Sequence, residues 1–255
     1  MLDICFCVVL YNKDFEKSQT LTSLRACLKG FLNKGHYKIV IFNNGPKEVV
    51  FEDSLFDITV NQVLINGSLS KIYNKTIDLY KANKYVFLDD DTEVNDEYLS
   101  ELISLGFNIF MPKIHCQGIG CYPIINHSGV QTITSGLAIS NLAVDEFKKR
   151  NCMVFDESFD LYGIDTALCY VINKFSYQYT VSQSYLEHQL SHISGNTGEF
   201  RKREVLLSNS AALIKYFNIR LLCQTGASAL WAIKKLQFKI LYKAFLSFLA
   251  CRVIR

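Results

Sequence analysis

Apolar runs alternate with polar, turn-rich stretches along the first 90 residues of the chain. Residues 4–10 form a continuous apolar run of β-forming side chains, which predicts a strand buried on both faces. The next stretch spaces leucine and phenylalanine as a helix does, and similar runs follow. In chain order, the pattern predicts strand, helix, strand, strand, helix and strand over residues 4–10, 16–33, 37–42, 58–65, 70–82 and 85–88.

The second half of the chain has a less regular pattern. Residues 133–139 and 177–182 are predicted as strands, residues 165–172 as a helix, and the chain from about residue 204 onward as helical. Strands that alternate with helices in this way indicate an α/β fold with a mostly parallel sheet.

Three aspartates follow the predicted strand at residues 85–88, and polar residues also follow the first two strands at Tyr11 and Asn43. In parallel α/β sheets, ligands bind beyond the carboxyl ends of the strands, so we expect these side chains at one edge. Asp89 and Asp91 could hold a divalent cation and its phosphate ligand, since hard cations prefer carboxylate oxygen. The alternative is a polar loop or a helix cap.

The composition is that of a folded globular chain. Of its 255 residues, 49% are hydrophobic and 20% charged, which excludes a disordered chain, and three prolines with 13 glycines exclude collagen-like sequence. The nine cysteines are scattered and lack the paired spacing of zinc sites, so we expect free thiols in a reducing compartment. We expect no secretory signal, because the acidic Asp3 is followed directly by a strand-like run. We expect no spanning segment, because no window holds about 18 uncharged apolar residues.

The formal net charge of +3 conceals a strong asymmetry. Residues 201–255 contain 11 Lys and Arg but a single acid, Glu204, for a net charge of +10. The preceding 200 residues carry a net charge of −7. A basic segment of this kind indicates a partner with an acidic surface, either a membrane or a nucleic acid.

The residues of the basic segment favour a membrane surface. Residues 227–255 mix lysine with leucine and aromatic side chains, and Lys235, Lys239 and Lys243 would line one face of a helix. Such a helix, too short to span a bilayer, is typical of peripheral binding to anionic lipid. The alternative is a helix that packs on the rest of the chain or on a second subunit. Nucleic acid would leave the apolar face without a role.

Seven short motifs follow one another along the chain. They are VVLYN (8–12), NNG (43–45), NGSLSKIYN (66–74), LDDDT (88–92), SGLAI (135–139), FDESFDLYGIDT (155–166) and LEHQLS (186–191). In this order they resemble family 2 glycosyltransferases of the GT-A fold, over roughly residues 4–215. The 66–74 motif is similar to a segment of bacterial polysaccharide glycosyltransferases, rhamnosyltransferase-like members included.

The resemblance implies a GT-A catalytic domain over residues 1–215, divided into a nucleotide-sugar half (1–95) and an acceptor half (96–215). Residues 216–255 would then form a helical, membrane-associating tail. Asp91 would ligate Mg²⁺ or Mn²⁺, His188 would complete the metal shell or contact the diphosphate, and Asp165 would be the general base. The residues implied in binding a UDP- or dTDP-sugar donor are Tyr11, Asn43, Asn66, Lys71, Asp89 and Asp90.

Several of these roles have structural alternatives when the residues are taken alone. Asp165 is also placed to cap the helix that follows it, and Asp156 or Glu157 would then be the base. His188 could be a structural histidine. Lys71 could be a solvated lysine on a helix surface.

The chemistry of such a transfer matches these residue types. Inverting transfer from a sugar nucleotide needs a cation at the diphosphate and a carboxylate for the acceptor proton, but no protein nucleophile. The sequence has neither the G-x-S-x-G elbow of α/β-hydrolases nor a P-loop.

The resemblance implies transfer to a lipid-linked glycan in bacterial surface polysaccharide synthesis, of O-antigen or capsule type, at the cytoplasmic face of the inner membrane. A nucleotidyltransferase or sugar-nucleotide pyrophosphorylase is the alternative enzyme. A membrane-associated scaffold without catalytic activity is the alternative outside enzymes.

Overall fold

The computed structural model describes residues 1–51, 53–189, 198–216 and 219–255. In these ranges the strands are β1 (Leu2–Leu10), β2 (Tyr37–Asn43), β3 (Asp57–Gln62), β4 (Ala82–Asp89), β5 (Thr92–Glu93), β6 (Ile109–Cys116), β7 (Ile119–Tyr122), β8 (Ile124–Asn126), β9 (Gly129–Gln131), β10 (Leu137–Ser140) and β11 (Tyr179–His188). The helices are α1 (Gln19–Leu28), α2 (Leu69–Leu79), α3 (Asp96–Ser104), α4 (Asn141–Lys149), α5 (Ile164–Lys174), α6 (Glu199–Lys215), α7 (Ile219–Lys234) and α8 (Phe238–Ala250).

One mostly parallel sheet organises the chain. Its strand order is β3-β2-β1-β4-β10-β6-β11-β5, with β7 paired to β6. Strands β3, β2, β1 and β4 run parallel, whereas β10 is antiparallel to both β4 and β6. Beyond β10, β11 again runs parallel to β6. The predicted fold class, a mostly parallel α/β sheet flanked by helices with a helical C-terminal region, is confirmed.

Helices cover both faces of the sheet, so its central strands are buried. Residues 4–10 of β1 are all buried, as their unbroken apolar run predicts. Odd-numbered side chains such as Cys7 enter a core shared with α2, α4 and α5. Even-numbered side chains such as Phe6 enter a second core with α1 and α3. The carboxyl edge of the sheet, where the polar residues lie, is therefore between two packed apolar layers.

Some predicted elements end at other residues in the structure. The strand predicted at residues 133–139 is confined to β10, because a turn with φ +79° at Gly136 precedes it. The helix predicted at residues 70–82 ends at Leu79, since β4 begins at Ala82. Helices α3 and α4 and strands β5 to β9 are not predicted by the sequence pattern.

The C-terminal helices pack on one another and on the sheet domain. Leu206 and Leu207 of α6, Ala232 of α7 and Ala244 of α8 form one buried cluster. The predicted boundary at residue 215 coincides with the end of α6, and the division into domain and tail stays a prediction. None of the helices in the described part of the chain has both the length and the apolar character that crossing a bilayer requires.

The prediction that three lysines line one helical face is wrong for Lys235. Lys239 and Lys243 lie one turn apart on α8, but Lys235 lies in the turn between α7 and α8. In that turn Leu236 has φ +53°, and the amide of Gln237 donates to the carbonyl oxygen of Ala232. The uniform mixture of apolar and basic residues in the sequence gives no sign of this break.

Candidate active site

A cavity of about 550 Å³ lies beyond the carboxyl ends of β1 and β4. Its walls come from both halves of the sequence, as expected for a ligand site at this edge of an α/β sheet. Of the site residues predicted from the sequence, those that line the cavity are Tyr11, Asn66, Asp89, Asp90, Asp91, Asp165 and His188. Asn43 and Lys71 do not line it.

Buried hydroxyl groups hold the turn that carries the three aspartates. Thr20 Oγ1 accepts a hydrogen bond from the amide of Thr92 at 2.8 Å and donates to the carbonyl oxygen of Asp89 at 2.5 Å. Ser135 Oγ accepts from the amide of Asp89 at 3.0 Å and lies 2.5 Å from Thr92 Oγ1. Thr20, Thr92 and Ser135 are all buried. These contacts fix the backbone of the turn, and with it the direction of the carboxylates.

Asp89, Asp91 and His188 form a group suited to a divalent cation. Their potential ligand atoms all lie within 4.8 Å of one another. His188 Nδ1 lies 3.2 Å from Asp91 Oδ1, and His188 Nε2 lies 3.9 Å from Asp89 Oδ2. Pairing of β11 with β5 places His188 opposite Thr92 and so brings it to the aspartate turn. Two carboxylates and an imidazole fit Mg²⁺ or Mn²⁺ with further oxygen ligands from a substrate.

Burial and neighbouring charges shift the pKa values of Asp89 and His188 in this group. Burial raises the pKa of Asp89 to about 7, and the charges of Asp91 and Asp165 add to the effect, although His188 opposes it. Burial alone would lower the pKa of His188. The hydrogen bond with Asp91 and the charges of the nearby aspartates outweigh burial and raise it. A cation at this point would relieve the repulsion between the carboxylates.

Asp165 lines the same cavity from the first turn of α5. Burial raises the pKa of its carboxyl, and the Thr134 hydroxyl, which donates to Asp165 Oδ1, partly offsets that rise. Asp165 does not cap the helix, because the cap position is Gly163 with φ +85°. A Cβ at Gly163 would lie 2.8 Å from Phe159 Cδ1, so glycine is required there.

The two other candidates for the base are engaged elsewhere. Asp156 accepts a hydrogen bond of 2.6 Å from the hydroxyl of Tyr216 and pairs with Lys215 at 3.1 Å. Glu157 accepts a hydrogen bond of 3.0 Å from Asn74 Nδ2. Neither carboxylate lines the cavity. Asp165 is therefore the candidate base that the fold places beside the aspartate turn.

Asp90 connects the aspartate turn to the end of β1. Its Oδ2 accepts a hydrogen bond of 2.9 Å from the amide of Tyr11, and its Oδ1 lies 2.5 Å from Lys13 Nζ. The Asp90 carboxylate thus has a structural function, which is the polar-loop alternative considered above. Tyr11 itself is 52% exposed and borders the cavity, where its ring is available to a ligand.

The placement of Asn43 does not fit the donor-binding role that the resemblance implies, because Asn43 does not line the cavity. Asn43 is buried, and its Nδ2 donates to the Lys47 carbonyl and to Gln62 Oε1, both at 2.6 Å. Its Oδ1 accepts from the amide of Gly45. Both amide hydrogens are thus occupied within the protein. The neighbouring Asn44 lines the cavity instead.

Asn66 and Lys71 have different positions relative to the cavity. Asn66 lines it from the loop before α2, with φ +48°. Lys71 lies on an exposed face of α2 and away from the cavity, which agrees with a solvated helix lysine. In the motif at residues 186–191, the last two residues fall outside the described ranges, whereas His188 lies at the cavity.

The structure adds residues that sequence reasoning missed. Tyr122, Tyr162 and Arg201 line the cavity, with the Arg201 guanidinium 5.3 Å from the centre of the Tyr162 ring. Tyr162 and Arg201 could have been found: Tyr162 stands in the motif at residues 155–166, and Arg201 opens the basic segment. Tyr122 lies in a stretch without regular periodicity, so no sequence signal marks it.

Comparison with solved structures places the fold. The chain resembles TarS, a glycosyltransferase of S. aureus, with a TM-score of 0.53 and 16% identity over 83% of this chain and 40% of TarS. The chain therefore shares the fold of TarS. Against TarS 1–349 in complex with UDP-GlcNAc the TM-score is 0.53, with 16% identity over 83% of this chain and 66% of that fragment. For the complex of TarS 1–349 with UDP, the TM-score is 0.51 at 15% identity, over 81% and 65%.

The likeness concerns three-dimensional structure rather than sequence. No protein-family model matches the chain, and no curated protein matches it in sequence. The chain spans 40% of the longer TarS structure and about two thirds of its 1–349 fragment.

Proposed function

We propose that this chain is an inverting, divalent-cation-dependent glycosyltransferase that uses a UDP- or dTDP-sugar. The observation that carries the proposal is that Asp89, Asp91 and His188 converge in the cavity that Asp165 also lines. TarS, which shares the fold, has been solved with UDP-GlcNAc and with UDP, and this supports a uridine nucleotide as donor.

Each group has a chemical task under this proposal. Asp165 takes the proton from the acceptor hydroxyl, and its raised pKa makes it a stronger base than an ordinary aspartate. Asp89, Asp91 and His188 hold Mg²⁺ or Mn²⁺, which when bound neutralises charge on the diphosphate leaving group. The exposed ring of Tyr11 stacks on the nucleobase. The direct displacement inverts the anomeric carbon and requires no covalent intermediate.

The metal site is tested by Asp91→Asn. This change removes one ligand charge and the carboxylate partner of His188, so we expect UDP binding in Mn²⁺ to weaken at least tenfold. Isothermal titration with and without Mn²⁺ measures the effect. Asp78→Asn is the matched control, because that carboxylate lies on α2 with a 70% exposed side chain. If Asp91→Asn bound UDP in Mn²⁺ with wild-type affinity, the assignment of Asp91 as a metal ligand would be wrong.

The base is tested by Asp165→Asn. We expect donor binding to persist and transfer to fall by about 10²–10⁴-fold, the usual contribution of a general base. The assay follows nucleoside diphosphate release from a panel of sugar nucleotides in Mn²⁺. Turnover retained by Asp165→Asn would place the base elsewhere. If the wild-type chain binds no member of the panel, the enzyme proposal fails and a non-catalytic scaffold is favoured.

We further propose that the acceptor is a lipid-linked glycan of bacterial surface polysaccharide synthesis, reached at the cytoplasmic face of the inner membrane. Support comes from the outer face of α7 and α8. Its apolar side chains are exposed, and they recur at helical spacing: Ile219, Leu222, Leu230 and Ile233 on α7, and Phe238, Tyr242, Phe245 and Leu249 on α8.

The opposite face of these helices packs on α6. Ala232, Ala244 and Ser247 are buried there. The outer face is therefore not used in packing within the described residues. Lys235 and Lys239 in the same segment are exposed, and Lys243 is half-buried. Apolar side chains next to lysine match the chemistry of an anionic lipid surface. Under this proposal, one face of the tail packs on the protein and the other face binds lipid.

Flotation with vesicles tests the membrane proposal. Replacing Lys235, Lys239 and Lys243 by Gln should weaken binding to phosphatidylglycerol vesicles about 100-fold, since each lysine near an anionic surface contributes about 1 kcal/mol. The matched control replaces three exposed lysines of the sheet domain, Lys29, Lys75 and Lys81. Equal loss in both triple variants would indicate a general charge effect, and no loss in either would contradict the proposal.

A further inference from the structure

The five residues after α8 turn back onto the sheet domain. Cys251 ends α8 with φ +51°. The amide of Val253 then donates to the Ser158 carbonyl oxygen at 2.7 Å, and the amide of Ile254 donates to Ser247 Oγ at 3.0 Å. We call residues 251–255 the C-terminal strap. It connects the helix that carries the exposed apolar face to the domain that carries the cavity.

Arg255 of the strap joins two walls of the cavity. Its Nη1 donates to the carbonyl oxygen of Asn66 at 3.0 Å, and its Nε lies 3.2 Å from Oε1 of the buried Glu204. The guanidinium also lies 6.0 Å from the centre of the Phe200 ring. Asn66 and Phe200 both line the cavity. A single side chain thus spans the loop before α2 and the start of α6.

The loop around Asn66 needs this kind of support. Leu64 and Asn66 have φ values of +61° and +48°, a conformation that costs energy for residues other than glycine. On one side the loop is held by Asn44, whose Oδ1 accepts from the Gly67 amide at 2.7 Å. The contact on the other side is the one from Arg255 to the Asn66 carbonyl.

We propose that Arg255 is a positioning residue that sets the conformation of the Asn66 loop. Through this residue, binding of α7 and α8 to a lipid surface affects the nucleotide-sugar cavity. Arg255 touches no reacting atom and acts through Asn66. The proposal rests on the proposed function for the sugar-nucleotide substrate and the lipid surface, but the contacts of Arg255 with Asn66 and Glu204 do not depend on that function. It predicts that lipid binding and donor binding are coupled.

Hydrogen exchange tests the positioning role without any substrate. In Arg255→Ala, the amides of residues 64–67 should exchange at least tenfold faster than in the wild-type chain, while those of β1 are unchanged. Arg252→Ala is the matched control, since Arg252 is an exposed strap residue. Arg255→Lys, which keeps the charge but not the fork of donors, should give an intermediate rate. Unchanged exchange at residues 64–67 would overturn the proposal, whether or not the chain is a glycosyltransferase.

Kinetics tests the coupling. The KM for the sugar nucleotide should rise about tenfold in Arg255→Ala while kcat stays near that of the wild type, a division that general destabilisation would not produce. Phosphatidylglycerol vesicles should lower the wild-type KM but leave that of Arg255→Ala unchanged. An equal decrease in both would overturn the coupling. A wild-type chain without turnover would instead count against the proposed function, and the exchange result would still decide the role of Arg255.

Discussion

Replacing Thr134 by Val should move the acid limb of the pH–rate profile to higher pH. The Thr134 hydroxyl donates to Asp165 Oδ1, and this bond favours the ionised carboxylate. Burial acts in the opposite direction and is the larger effect, so the pKa of Asp165 is already raised. Valine keeps the shape of threonine but removes the hydroxyl, so burial raises the pKa of Asp165 further.

The size of the shift follows from the strength of the bond. A hydrogen bond to a charged group contributes about 1.5–3 kcal/mol, and about 1.4 kcal/mol corresponds to one pKa unit. The Thr134 amide also favours the ionised form and remains in the variant. We therefore expect the lower end of the range, about one pH unit. Because the base must be ionised, activity is lost as pH falls through the raised pKa, and that loss should begin at higher pH.

The assay measures kcat/KM for nucleoside diphosphate release between pH 5 and pH 9 at constant ionic strength. Thr134→Ser is the control, since it retains a hydroxyl and should keep the wild-type profile. Well above both pKa values, Thr134→Val should approach the wild-type rate. A lower plateau with an unmoved acid limb would refute the reasoning, because it would show that Thr134 does not act through the ionisation of Asp165.

Three further predictions concern stability. Gly163→Ala should destabilise the chain by about 1–3 kcal/mol in urea unfolding, because φ is +85° and the new Cβ would meet Phe159. Gly106→Ala is its control, since nothing lies within 4 Å of a Cβ there, and a similar loss would contradict the steric argument. Tyr216→Phe should cost about 1.5–3 kcal/mol by the same measurement, since its hydroxyl donates to the Asp156 carboxylate, and an unchanged midpoint would contradict this. Mn²⁺ should raise the melting temperature of the wild-type chain by binding the folded state, and an unchanged melting temperature would count against the cation site.

The arrangement of charges in the candidate site lowers the stability of the folded chain. The charges of Asp91 and Asp165 disfavour ionisation of the buried Asp89, which costs folding free energy near neutral pH. A cation and an anionic donor would together restore neutrality in the cavity. Local instability of this kind at a cleft is typical of functional sites.

Much of the architecture of residues 1–95 could be predicted because local pattern and burial agree there. Residues 4–10 and 37–42 are apolar runs that can only be satisfied inside a sheet, and they form most of β1 and β2. Polar residues that follow parallel strands must lie at the carboxyl edge, which is where Tyr11 after β1 and the aspartate turn after β4 are found.

The errors have physical causes of the same local kind. Asn43 and Asn44 are identical, adjacent and both buried. Hydrogen bonds to Gln62 and Lys47 hold Asn43 away from the cavity that Asn44 lines. The turn at residues 235–237 is stabilised by backbone hydrogen bonds back to α7, which no side-chain pattern records. Lys71 lies in a motif but on the outward face of its helix.

By itself, the sequence determined the class of fold, the edge of the sheet that would carry the polar residues, and the charge division between the domain and its C-terminal region. These depend on hydrophobic periodicity and on charge counts, which are local properties of the chain. Only the tertiary structure decided that His188 meets Asp89 and Asp91, that Asp165 rather than Asp156 or Glu157 faces them, and that Arg255 reaches Asn66. Such contacts join residues far apart in sequence, and they depend on strand pairing and side-chain direction rather than on composition.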